Sequence, residues 1–216
     1  GIALSAANGY ADEGAVAAFE RARALVRQVG GHEELGPIFN GLFISYSNRA
    51  EFGQALEVAN EFMALTEGSS DRIARSMAHR MVAVSYRLMG KIAISRPYCE
   101  RAMELASQAA DAKQVWRLTH DPVIAAQYNL AVILWHSGEV DQSVAMENEA
   151  LAHAARLNHG NTLGFTLGYI GCMSAYRRRD FAALEPLCDR LIEHGRCHKT
   201  PMWEAMGRVY RGRVLV

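Results

Sequence analysis

The sequence predicts an all-α fold, a right-handed α-solenoid of stacked helical hairpins, and three observations predict it. Pairs of amphipathic helices recur: with Ala55, Ser95, Ser143 and Leu184 taken as equivalent, the steps are 40, 48 and 41 residues. A two-helix period of about 34–47 residues is the mark of an α-solenoid. The composition is helical, with abundant Ala, only 5 Pro in 216 residues and no alternating strand pattern. Stop and start signals fall where the period needs them, Gly at helix ends and Asp or Thr followed by Pro at helix starts.

The elements follow in order. GAVAAFERARALVRQVG (14–30) is the second helix of a first, partial hairpin spanning 1–30. PIFNGLFISYSNR (37–49) and EFGQALEVANEFMAL (51–65) make the hairpin at 36–68. RIARSMAHRMVAVSYRLMG (72–90) and KIAISRPYCERAMELA (91–106) make the next, at 71–110. PVIAAQYNLAVILWHSG (122–138) pairs with EVDQSVAMENEALAHA (139–154) inside 120–158, and TLGFTLGYIGCMSAYRRR (162–179) with DFAALEPLCDRLIEHG (180–195) inside 161–197. A last first helix opens at Thr200-Pro201 and fills 200–216. The whole reads as one repeat domain cut from a longer chain, because it has no initiator Met and both ends enter mid-pattern.

One hairpin cannot hide its apolar face, but stacked neighbours can. Leu130, Ile133 and Leu134, then Val140 and Val144, recur at helical spacing. Ala55, Ala102 and Ala150 are small enough for close helix crossings. Gly90 and Gly138 end first helices, where the left-handed conformation costs Gly little. Asp71, Asp121 before Pro122, and Thr200 before Pro201 are read as side-chain caps of the free first-turn N–H groups. The extra length of the widest step is placed in SQAADAKQVWRLTH (107–120), as a longer helix or a loop beneath Trp116.

Several function classes are excluded or demoted. The 23 basic and 23 acidic residues cancel, so the basic excess of a nucleic-acid binder is missing. No apolar run approaches the roughly 18 residues of a membrane span, and no signal peptide is visible. Cys99, Cys172, Cys188 and Cys197 show no CxxC spacing and read as buried thiols of a reducing, cytoplasmic setting. Gly90-Lys91 is followed by Ile92, so there is no phosphate loop, and His32-Glu33-Glu34 does not complete HExxH. His194, Cys197 and His198 have metal-binding side chains at a helix end, where His also suits the helix dipole. Arg177-Arg178-Arg179 reads as a solvated cluster offsetting a dipole, and Arg208, Arg211 and Arg213 as a solvated flank. His120-Asp121 has no nucleophile beside it and reads as a cap. No catalytic residue, metal or cofactor is expected.

The better candidate is the groove lined by first helices. Its phase selects Asn40, Ile44 and Asn48; then Arg80, Val84 and Arg87; then Tyr128, Asn129, Trp135 and His136; then Tyr169, Met173, Tyr176 and Arg177. Aromatic rings supply contact area, and Asn and Arg bond a backbone or a carboxylate, so this set suits an extended peptide.

Three stretches also carry a family resemblance. NGYADEGAVAAFERARALVRQVG (8–30) resembles a GYA-motif helix pair. HDPVIAAQYNLAVILWHSGEVDQSVAMENEALAHAARLNHGNTLGFTLG (120–168) resembles an HDP cap, a helix ending LWxxG, then DQ and an ALA-A helix. MWEAMGRVYRGRVLV (202–216) resembles a WxxxGxxxxGx helix. Together they are similar to the tetratricopeptide-like C-terminal region of bacterial multidomain proteins. Those join a class III adenylate/guanylate cyclase, or sometimes a DNA-binding domain, to an AAA-type ATPase. Ser95 and Ser143 depart from the usual small Ala, and Tyr98-Cys99-Glu100 is unusual. The resemblance implies tetratricopeptide-like hairpins and a non-catalytic regulatory arm of a bacterial signalling protein. That arm would bind a protein or peptide, the parent's own upstream domains or a second copy of itself, and neither nucleic acid nor membrane. The alternative is a sensor binding a small effector between hairpins near Trp135, Tyr169 and Tyr176.

Overall fold

The computed structural model describes residues 1, 4, 11–29, 35–109, 120–157 and 159–214. Its helices are α1 (Glu13–Val29), α2 (Leu35–Asn48), α3 (Phe52–Thr66), α4 (Arg72–Leu88) and α5 (Ile92–Gln108). They continue as α6 (Pro122–His136), α7 (Val140–Leu157), α8 (Gly160–Phe165), a π-helical segment (Thr166–Cys172), α9 (Met173–Arg177), α10 (Phe181–Cys197) and α11 (Pro201–Val214). Among the described residues there is no strand. The chain forms two compact units, residues 1–109 and 110–216. Gly9 and Tyr10 of the GYA motif, the His32-Glu33-Glu34 turn and Trp116 with most of 107–120 lie outside the described residues.

Each first helix passes to its second through the same turn. Ala50, Gly90, Gly138 and Arg179 all take positive φ, at 59°, 75°, 83° and 56°. The residue after each donates its N–H five positions back: Glu51 to Tyr46, Lys91 to Tyr86, Glu139 to Leu134 and Asp180 to Ala175, at 2.8–2.9 Å. This is the Schellman closure, which satisfies carbonyls that a helix end leaves free. Gly90 and Gly138 adopt it without a Cβ penalty; Ala50 and Arg179 carry one. The turn therefore recurs as a backbone feature even where the residue type does not announce it.

The five positions that follow each turn lead to a buried small or apolar residue: Ala55, Ser95, Ser143 and Leu184 are all 0% exposed. The two serines are explained by their bonds. Ser95 Oγ donates to the Ala83 carbonyl at 2.6 Å, and Ser143 Oγ to the Ala131 carbonyl at 2.8 Å. Each hydroxyl ties its second helix to the first helix of the same hairpin, so burial leaves no polar atom unmet.

The core of the first unit gathers Phe39, Leu42, Phe62 and Met81 from α2, α3 and α4, with Phe39 and Phe62 stacked at 5.1 Å. In the second unit Ala150 and Ala154 of α7 meet Ile124 of α6 and Ile170 of the π segment. Leu184, Cys188 and Leu191 of α10 pack with Leu167 and Trp203. Ala55, Ala102 and Ala150, the small residues expected at crossings, are all fully buried.

Asp71 caps α4 by accepting from the Ile73 and Ala74 N–H groups, and Asp121 caps α6 by accepting from Ile124 at 2.9 Å. Thr200 differs from expectation. Its Oγ1 is buried without a hydrogen-bond partner, and its carbonyl, not its side chain, accepts from Trp203 at 3.1 Å. Cys99, Cys172 and Cys188 are buried as expected, but Cys197 is exposed, its Sγ 3.1 Å from Glu193 Oε1. The π segment was also outside the expectation for 162–179. At its end the Met173 N–H reaches back to the Gly168 carbonyl, and a Cβ on Gly168 would lie 2.9 Å from Met206 Sδ. Glycine there lets α11 seat against the widened turn.

Candidate functional site

In the first unit the sequence-selected residues Asn40, on α2, and Arg80, on α4, come together across neighbouring first helices. Arg80 Nη2 lies 3.5 Å from Asn40 Oδ1. Arg80 has no ion pair with a carboxylate among the described residues, and burial pulls its pKa down. The nearby Cys99 thiol is pushed up to about 12 by burial, against the pull of Arg80 and Arg87. Arg87 is half-buried two turns further along the same helix. Arg80 is thus a desolvated cation served by one weak amide contact, a costly state when nothing else is bound.

Two cations of the second unit, Arg177 and Arg178, are held differently. Glu147, on α7, has a side chain only 5% exposed. Arg177 Nη2 donates to its Oε1 at 3.1 Å and Arg178 Nη1 to its Oε2 at 2.9 Å. Ser174 Oγ donates to the same carboxylate, and Ser143 Oγ lies 3.3 Å from it. The Arg177 guanidinium also lies over the Trp135 ring, 5.2 Å from its centroid. Arg177 and Arg178 are therefore not the solvated cluster expected from the sequence. They close onto a buried acid, and one carboxylate faces two guanidinium groups, leaving a local charge of about +1.

Beside this network α9 and α11 frame a groove of 490 Å³, open to solvent. Met173, Tyr176, Arg177, Met206, Val209, Tyr210 and Arg213 line it. Tyr176 and Tyr210 pack at 5.9 Å, and the Arg213 guanidinium lies 4.8 Å above the Tyr176 ring. The flank expected to be merely solvated divides in two. Arg208 pairs with Glu204 at 2.7 Å and Arg211 with Glu185 at 2.9 Å, whereas Arg213 rests on Tyr176.

The remaining groove candidates scatter. Tyr176 and Arg177 line the groove, and Trp135 is half-buried under Arg177. His136 is exposed at the end of α6. Tyr169 is packed among Tyr128, Phe165 and Trp203, with centroids 5.2–6.1 Å away. Asn129 is 3% exposed and donates its Nδ2 to the Ala125 carbonyl at 2.8 Å, which withdraws it from the surface. His194, Cys197 and His198 do not converge. His194 Nε2 donates to the Gly160 carbonyl at 2.8 Å, and the His198 ring packs tilted against the His194 ring, centroids 4.4 Å apart. Burial, with a further push from His198, lowers the His194 pKa. His120 stacks on Phe165 at 4.4 Å beside the cap made by Asp121. Sequence reasoning missed Glu147, Ser174 and Arg213 as parts of the site.

No family model matches the chain, and no curated protein is similar to it in sequence. Solved structures are similar in fold. BtubC (BKLC) from P. vanneervenii superposes with a TM-score of 0.67 at 16% identity, over 94% of this chain and 82% of its own. A Podosopora anserina protein described as a kinesin light chain with nearly identical TPR-like repeats gives 0.59 at 14% identity, over 85% and 87%. The likeness shows the fold, an all-α tetratricopeptide-like repeat solenoid.

Proposed function

We propose that this chain is a protein-interaction scaffold that holds a partner segment on the surface shared by neighbouring first helices. The observation that carries the reading is the state of Arg80 and Arg213. Each is set, within its own unit, on a first helix by an amide or an aromatic ring and has no carboxylate of its own among the described residues. Helices ordered before binding lose little entropy when a segment docks, so fixed side chains of this kind favour an extended partner. Tetratricopeptide-like repeats suit such a role, and the reading assigns the chain no catalytic step and a cytoplasmic setting.

An upstream adenylate cyclase or ATPase, with this chain as its regulatory arm, follows from the sequence resemblance of 8–30, 120–168 and 202–216 alone. The effector-sensing alternative calls for an enclosed pocket with convergent polar groups. The groove at α9 and α11 is open, and Tyr169 is engaged by its neighbours, so the segment-binding reading is the better supported.

The test is a selection of peptides from a random library on the 216-residue chain. Selected binders are expected to weaken about tenfold or more when Arg80→Ala or Tyr176→Ala is introduced, and to be unaffected by Arg96→Ala on the second helix α5. Binders indifferent to both first-helix changes would contradict the reading.

A further inference from the structure

We propose that the groove between α9 and α11 takes an acidic segment that also carries an apolar side chain, the carboxylates meeting Arg213 and Arg177 and the apolar group entering beside Val209. This rests on the scaffold reading and names the partner's chemistry at one of its surfaces.

Three observations converge on that occupant. The floor is apolar: Met173, Met206 and Val209 contribute to it, and Val209 is 60% exposed. An aliphatic side chain left in water on a helix face, next to a groove that no side chain among the described residues fills, is surface whose covering would be favourable. The rim is cationic and under-compensated. Glu147 is shared between Arg177 and Arg178, and Arg177 keeps its buried Nε–H without an acceptor. Arg213 has Tyr176 as its partner.

The contrast along α11 sharpens the point. Arg208 and Arg211, on the same helix, are each held by carboxylates, at 2.7 Å to Glu204, and at 2.9 Å to Glu185 with 3.2 Å to Asp189. The acids of this helix and its neighbour are therefore committed outside the groove, and the groove itself offers positive charge only. A partner that brings its own carboxylates supplies the counter-charge, and charge-assisted bonds to planar guanidinium groups already seated on Tyr176 and Trp135 cost little reordering.

The experiment measures binding of fluorescein-labelled peptides to the whole chain by anisotropy. Three short probes are used: alternating glutamate and leucine, its glutamine–leucine counterpart, and a glutamate–serine counterpart. The glutamate–leucine peptide is expected to bind about tenfold tighter than either other. Arg213→Gln, an exposed change that leaves Glu147 untouched, is expected to reduce that preference several-fold, and Val209→Glu to abolish binding. Equal binding of the glutamine–leucine peptide, still lost in Val209→Glu, overturns the acidic assignment while the scaffold reading stands. Equal binding of the glutamate–serine peptide overturns the apolar half. Binding untouched by both variants removes the segment from this groove, and no binding by any probe overturns the inference and counts against the scaffold reading at this groove. Sedimentation of the free chain covers the remaining occupant: a dimer that Val209→Glu dissociates assigns the groove to a second copy and overturns the proposal.

Discussion

Two arginine sites, one in each unit, meet the same electrostatic problem in opposite ways. In the first, Arg80 lies half-buried with Asn40 Oδ1 at 3.5 Å and no acid of its own among the described residues. In the second, Arg177 and Arg178 converge on Glu147, with Ser174 donating to the same carboxylate. Arginines at the same kind of location, on or just beyond a first helix, therefore have different meanings. The second set is built into the fold, and removing its acid leaves two cations facing each other. The first is carried at a cost, and a cost retained on a surface is intelligible when a partner offsets it.

Substitutions separate these cases. Glu147→Gln is expected to lower stability by about 3 kcal/mol, at the low end for a broken buried pair because both arginines keep some contact with water. Arg80→Met in the first unit is expected to leave stability unchanged or raise it, since it removes a desolvated charge and keeps most of the volume. Urea denaturation of the two variants checks the pair, and a loss of similar size in both would erase the distinction.

Packing comes next. Ala150 is fully buried where α7 crosses Ile124 and Ile170, so Ala150→Leu is expected to cost about 1–3 kcal/mol by overpacking. An unchanged urea midpoint and slope would show that this crossing has room.

The turns give a smaller effect of opposite sign. Arg179, at φ 56°, occupies the place that Gly90 and Gly138 fill in other hairpins. Arg179→Gly should raise stability by up to about 1 kcal/mol, part of the relieved Cβ strain being offset by the freer unfolded chain. Thermal unfolding reads the sign; a clear loss would mean that the Arg179 side chain contributes more than its backbone costs.

The smallest expected effect is on pH dependence. Burial lowers the pKa of His79 in the first unit and of His194 in the second below the ordinary 6.5. Below that value the unfolded chain takes up protons that the folded chain resists, so stability falls as pH drops through and below 6.5 and is flat above it on this account. His194→Gln, whose amide keeps a donor for the Gly160 carbonyl, should flatten part of that slope in urea titrations at pH 7 and pH 5.

Much of this was written in local patterns. The helix starts at Asp71 and Asp121 and the glycine ends at Gly90 and Gly138 carry their own physical signatures. The turns at Ala50 and Arg179 carry none, because a positive φ in a non-glycine residue is imposed by the closing hydrogen bonds around it. Thr200 matched a capping pattern whose side-chain bond does not form. The Glu147 network had a legible half. Ser143, Glu147, Ala150 and Ala154 form one buried stripe at helical spacing, and an acid in such a stripe demands cations. Which cations is a matter of tertiary packing, and spacing along α7 does not name Arg177 and Arg178. The π turn at Thr166–Cys172 had only Gly168 and Gly171 to suggest it, and glycines admit many explanations.

Hydrogen–deuterium exchange of the chain, free and saturated with a selected peptide, tests the central claim most directly. The account predicts added protection on the first helices, in Arg72–Leu88 or in Met173–Arg177 with Pro201–Val214, and little change in Ile92–Gln108 and Phe181–Cys197. Protection confined to those two second helices would contradict it.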